Sequence, residues 1–173
     1  ALSPYLLPLR PWPAFRRFMN RGLDAFSSTE LVIEGSMPNK DSNEIFCFGP
    51  HGIFCFGYVL HGGGSKFFEG IPNVASTQLC FSPFFYLIYR WSKAVIPASR
   101  ATIDKVMNAG QSFCIIPGGF EEATITKFGQ EITFANMRTG LIKLALQHGY
   151  SLRPVWTFGE SETYRNAQLC MKQ

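Results

Sequence analysis

Residues 47–57 read Cys-Phe-Gly-Pro-His-Gly-Ile-Phe-Cys-Phe-Gly. His51 is the single imidazole in a run of Phe, Ile, Cys and Gly, and a polar ring in such surroundings needs a hydrogen-bond partner or a chemical task. Two more stretches carry reactive groups. Ile-Pro-Gly-Gly-Phe-Glu-Glu-Ala at 116–123 offers the carboxylates Glu121 and Glu122 behind the turn Gly118-Gly119. Ile-Pro-Ala-Ser-Arg-Ala-Thr-Ile at 96–103 offers Arg100. An imidazole can serve as a general base near neutral pH, and glycine-bearing turns can present backbone N–H groups to an oxyanion. Guanidinium forks at Arg100 and Arg138 suit phosphates. Each group also has a plain structural explanation. A lone histidine is commonly a satisfied core residue, turns need glycine anyway, and turn glutamates are commonly solvated. The two arginines have ion-pair partners within reach of the fold in Asp104, Glu121 or Glu131.

These groups need a scaffold. Short strands are predicted at 31–34, 44–49, 73–76, 94–98, 112–117 and 151–159. Helices are predicted at 14–26, along the run after His51 to the glycines at 62–64, at 82–92 behind Ser82 and Pro83, at 101–110 and at 137–149. Strands alternating with helices predict an α/β sandwich whose largely parallel sheet is flanked by helices. The unbroken apolar run at 112–117 suits a strand covered on both faces. His51, the Gly118-Gly119 turn and Arg100 then all fall at carboxyl ends of strands, where open α/β sheets gather their chemistry.

The bulk properties add a lipid flavour. The chain has 173 residues, of which 46% are hydrophobic and only 16% charged, against an average near 25% charged. Phenylalanine alone supplies 17 residues. Residues 1–29 hold Arg10, Arg16, Arg17 and Arg21 against the single Asp24, interleaved with Trp12, Phe15, Phe18 and Phe26. This basic aromatic region suits a membrane interface with anionic lipid, and 30–173 reads as one catalytic core. The basic stripe does not continue, which speaks against nucleic acid. No apolar run is long enough for a complete spanning helix. The cysteines at 47, 55, 80, 114 and 170 show no CxxC pair and read as free thiols, not as metal ligands.

Four blocks carry a resemblance. Phe48-Gly-Pro-His-Gly-Ile-Phe-Cys-Phe-Gly57 resembles the His-Pro-His-Gly block of the diacylglycerol acyltransferase type 2 family. Ile115-Ile-Pro-Gly-Gly-Phe-Glu-Glu-Ala123 is similar to its Gly-Gly-x-x-Glu block. The segment 95–104 resembles its Pro-x-Ser-Arg segment, and 137–164 its long block ending in Phe-Gly-Glu. The resemblance covers about residues 30–165 in the family's order. It implies a glycerolipid-acyltransferase-like fold and transfer of a fatty acyl group from acyl-CoA to a lipid hydroxyl, most naturally that of diacylglycerol. Monoacylglycerol or a long-chain alcohol is the alternative acceptor, and an inactive lipid-binding homologue the alternative function. His51 is then the base, with Glu122 in place of the usual carboxylate partner. Pro50, Gly52, Arg100, Gly118, Gly119 and Arg138 fall to substrate binding. No cofactor beyond the co-substrate acyl-CoA is implied. The partners implied are acyl-CoA, the lipid alcohol, membrane lipid and optionally a second copy. The implied location is the endoplasmic reticulum membrane, with the site facing the cytosol, or a lipid droplet. The chain is expected to be a fragment of a longer one. It departs from the family twice: Gly49 stands where many members have a first His, and Phe56 where the wider superfamily has Asp.

Overall fold

A computed structural model describes residues 12–21, 30–62, 65–92, 95–133 and 138–165. Five strands form the sheet: β1 (Glu44–Gly49), β2 (Asn73–Ala75), β3 (Val95–Pro97), β4 (Phe113–Ile115) and β5 (Ser151–Trp156). Their order is β3-β2-β4-β1-β5 and every pair is parallel. β1 and β5 stay in register over six residues, from Glu44 opposite Ser151 to Gly49 opposite Trp156.

Successive side chains of a strand point to opposite faces, and the core divides accordingly. Ile45 and Phe113 pack with Val74, Val106, Met107, Leu144, Ala145 and Tyr150 on one face. Helices α4 (Arg100–Asn108) and α6 (Thr139–His148) supply several of those partners. Phe46, Phe48 and Cys114 pack with Tyr58, Phe68 and Ile71 on the other. That face is covered by a short π-helix, Tyr58–Gly62, and a turn of 3₁₀-helix, Lys66–Phe68. The Tyr58 hydroxyl lies 2.9 Å from the carbonyls of both Val74 and Cys114, so it ties the π-helix across β2 and β4.

This placement decides where a site can open. The chain leaving β1 crosses the Phe46 face toward β2, whereas the chain leaving β4 returns through α6 on the Ile45 face toward β5. Connections that part on opposite faces open a crevice between the carboxyl ends of β1 and β4.

Helix ends follow ordinary capping chemistry. Ser99 Oγ accepts the Thr102 N–H at 3.2 Å and starts α4, and Gly149 in the left-handed conformation (φ +68°) ends α6. The segment 77–92 is two helices, α2 (Thr77–Phe81) and α3 (Pro83–Ser92), with Ser82 between them. A further helix, α5 (Gly119–Ile125), follows β4 directly. The strand expected at 31–34 does not form: Val32 is 71% exposed, and Leu31 alone of that stretch packs on the core. Of the basic aromatic helix expected at 14–26, α1 (Pro13–Arg21) is present, and Phe15 meets Trp91 of α3 at 5.3 Å between ring centres. Residues 1–11 and 22–29, and Cys170, lie outside the described residues. Among the described residues no helix is long and apolar enough to cross a membrane.

Candidate active site

β1 ends at Gly49, and Pro50 and His51 follow directly into the crevice. The His51 backbone N–H donates to Glu122 Oε2 at 3.1 Å. The ring itself turns to its neighbour: Nδ1 lies 2.7 Å from the Gly52 carbonyl oxygen. A carbonyl oxygen only accepts, so the bond requires the proton on Nδ1 and leaves the Nε2 lone pair open in the neutral ring. That tautomer can take a proton from a substrate hydroxyl.

Glu122 comes from the first turns of α5 and is 2% exposed. Its carboxylate folds back over Gly118, where a Cβ would overlap it. The glycine turn therefore exists partly to admit this carboxylate. Gly119 adopts φ +57°, a left-handed conformation that favours glycine. Its N–H donates to the Ile116 carbonyl at 3.3 Å. Arg138, at the start of α6, holds the same turn from outside. Its Nε donates to the Pro117 carbonyl at 2.8 Å and its Nη2 to the Gly118 carbonyl at 3.0 Å, and it is ion-paired with Glu121. A cleft of about 430 Å³ opens beside it, lined by Ile115, Pro117, Gly119, Arg138, Gly140 and Leu141. His51 is not part of that lining; the cleft adjoins the site through Gly119.

The structure thus brings together Pro50, His51, Gly52, Gly118, Gly119, Glu122 and Arg138 at the ends of β1 and β4. Arg100 stands apart. It follows β3, three strand spacings from β1, or about 14 Å at the usual inter-strand distance. Its Nε pairs with Asp104 Oδ2 at 2.7 Å, one helical turn away.

Glu160 is the buried neighbour of this site that residue-level reading left without a role. It is 2% exposed and comes from the chain beyond β5. Its Oε1 and Oε2 accept the N–H groups of Phe56 and Gly57, each at 2.9 Å. The one signal for it was its place in the Phe-Gly-Glu end of the last block.

Both departures from the family pattern have visible surroundings. A Cβ at Gly49 would stand 3.3 Å from Trp156 Cζ3, so an indole ring occupies the flank of the position where a side chain would project. That ring is fixed by its N–H, which donates to Glu131 Oε2 at 2.9 Å. Phe56 gives its N–H to Glu160 and lays its ring parallel to Tyr164 at 6.0 Å, with Phe54 beside both.

The described cysteines are free thiols. Burial pushes Cys47 up to about 11. Burial first, and then the Glu160 charge, push Cys55 up to about 12. Cys114 is also raised by burial. The folded state therefore holds thiol protons that the unfolded state releases above the ordinary value of 9.0. The unfolded chain binds fewer protons in that range, so stability is full below 9.0 and falls as pH climbs toward about 12. The expected result is a urea midpoint that drops between about pH 9 and about pH 11, with a shallower drop in Cys55→Ala.

The family model "Diacylglycerol acyltransferase" matches residues 23–171. Human 2-acylglycerol O-acyltransferase 3 is 32% identical over 154 residues, covering 84% of this chain and 45% of the relative. Diacylglycerol O-acyltransferase 2 of Xenopus tropicalis is 32% identical over 166 residues, covering 91% and 44%. Human acyl-CoA wax alcohol acyltransferase 2 is 31% identical over 165 residues, covering 90% and 48%. The chain spans about half the length of these relatives. No solved structure matches it. The family match over most of the chain and these identities show that the chain belongs to the diacylglycerol acyltransferase family.

Proposed function

We propose that this protein transfers a fatty acyl group from acyl-CoA to the hydroxyl of a lipid alcohol, diacylglycerol first among them, with His51 as general base. The observation that carries this is the Nδ1 contact to the Gly52 carbonyl, which turns Nε2 into the proton acceptor. The acceptor oxygen attacks the thioester carbonyl carbon as Nε2 takes its proton. The oxyanion of the tetrahedral intermediate is met by backbone N–H groups of Gly52 or Gly118, since Gly119 already donates to Ile116. The C–S bond then breaks and the CoA thiolate leaves, taking up the proton that Nε2 holds. Base catalysis of this kind contributes about 10²–10⁴-fold in rate. No cysteine need carry the acyl group, and raised thiol pKa values at Cys47, Cys55 and Cys114 suit that.

Glu122 acts on the backbone of His51, while the Gly52 carbonyl orients its ring. Arg138, beside the cleft, and the more distant Arg100 serve the phosphates of CoA. Exposed aromatics stand just past the strand ends, Phe120 at 81% and Phe158 at 84%, with Phe54 also exposed. Such a rim suits an acceptor that lives in a bilayer, and the location proposed with it is the endoplasmic reticulum membrane or a lipid droplet.

The test is a labelled oleoyl-CoA assay on membranes carrying the protein, with diacylglycerol, monoacylglycerol and a long-chain alcohol as separate acceptors. Labelled triacylglycerol as the main product is expected. Product confined to the other acceptors reassigns the acceptor. No ester from any of them overturns the enzyme reading in favour of a lipid-binding one.

A further inference from the structure

The turn that carries His51 is fastened to the chain leaving β5. Thr157 N–H donates to the Gly49 carbonyl at 2.8 Å, which extends the β1–β5 pairing by one bond. Three residues later Glu160 enters the interior and takes the N–H groups of Phe56 and Gly57, one on each oxygen, 104 and 103 residues away in sequence. The same carboxylate packs under Gly52. A Cβ there would stand 2.6 Å from Glu160 Oε1 and 2.7 Å from its Cγ, so position 52 must be glycine for Glu160 to lie where it does. Gly52 is also the residue whose carbonyl holds the His51 ring. Glu160 therefore touches both ends of the segment from Gly52 to Gly57.

We infer that Glu160 is a positioning residue that sets the direction of the His51 ring by clamping the Gly52–Gly57 turn with both carboxylate oxygens. The inference rests on His51 being the base. Two oxygens are required because two N–H groups are served. A glutamine offers one acceptor and turns an NH₂ group toward the other N–H. A residue that merely filled space would be replaced by glutamine without consequence. A clamp would not, and the loss would fall on the alignment of the base and not on substrate affinity.

The experiment compares wild type, Glu160→Gln, Gly52→Ala and His51→Ala in membranes, with turnover normalised to folded protein. kcat and the KM for oleoyl-CoA are measured with diacylglycerol, and deuterium exchange is followed over 52–58 and over β1 and β4. Glu160→Gln is expected to keep wild-type exchange in the strands and to speed exchange at Phe56 and Gly57. Its kcat should fall on the order of 10²-fold, the cost of a misplaced catalytic group, with KM unchanged. Gly52→Ala, which pushes on the clamp from the other side, is expected to lower kcat in the same sense. Wild-type kcat in Glu160→Gln or in Gly52→Ala, with His51→Ala inactive, overturns the positioning role alone. Wild-type exchange at Phe56 and Gly57 in Glu160→Gln overturns the clamp itself. Wild-type turnover in His51→Ala overturns the reading of the base, and the exchange data then still judge the clamp.

Discussion

Gly118→Ala is expected to destabilise the protein by about 2–6 kcal/mol and to lower acyl transfer, although it adds a single methyl group. The added Cβ overlaps the Glu122 carboxylate, which is 2% exposed. Overpacking of this kind costs about 1–3 kcal/mol. If Glu122 swings away, the His51 N–H loses its acceptor, and a buried donor left unpaired costs about 1–3 kcal/mol more. The two losses share one cause, so a fall in the urea midpoint should accompany the loss of product. Gly140→Ala supplies the contrast. Its Cβ would meet nothing within 4 Å, and it sits in the first turn of α6. Alanine there is expected to leave the urea midpoint at or slightly above the wild-type value, since a first-turn glycine costs less than the roughly 0.5–1 kcal/mol of an interior one. Equal midpoints for the two variants would contradict the packing of Glu122 over Gly118.

Much of the scaffold was legible because local signals and tertiary packing agree. The apolar run around Phe113–Ile115 is a central strand, and the stretch from Thr139 to His148 forms a helix that Gly149 stops. The site at the strand ends was legible for the same reason: once strands and helices alternate, the residues just after β1 and β4 have only one place to go. What failed was whatever depends on distant partners. Leu31-Val-Ile-Glu34 has strand-forming residue types, yet Arg153 binds Ser36 and Glu44 beside it and no strand claims it as a neighbour. Propensity without a partner leaves it irregular.

The carboxylates show the limit most plainly. Glu121 and Glu122 are adjacent and chemically identical, and by residue type both read as solvated turn charges; only the resemblance to the Gly-Gly-x-x-Glu block singled out Glu122. Helix α5 turns one outward to Arg138 and the other inward over Gly118. Nothing local distinguishes them; the register of the helix against β1 does. Glu160 is further out of reach, since its two hydrogen bonds cross more than half the chain. The pairing of Arg100 with Asp104 was open to view, because four residues on a helix bring side chains together.

His51→Ala carries the largest effect on chemistry. The ring contributes through Nε2 alone, for Nδ1 is spent on the Gly52 carbonyl and the backbone N–H on Glu122. Alanine keeps the backbone bond to Glu122, so the fold should survive with little change in the urea midpoint. On the proposed mechanism, however, the acceptor hydroxyl loses the group that takes its proton, and transfer should fall by about 10²–10⁴-fold. The most direct measurement supplies labelled oleoyl-CoA and diacylglycerol to membranes holding wild type or His51→Ala at equal abundance, and counts labelled triacylglycerol. Abundant product from wild type and a loss within that range from His51→Ala is the predicted result. Equal product from both would contradict His51 as the base.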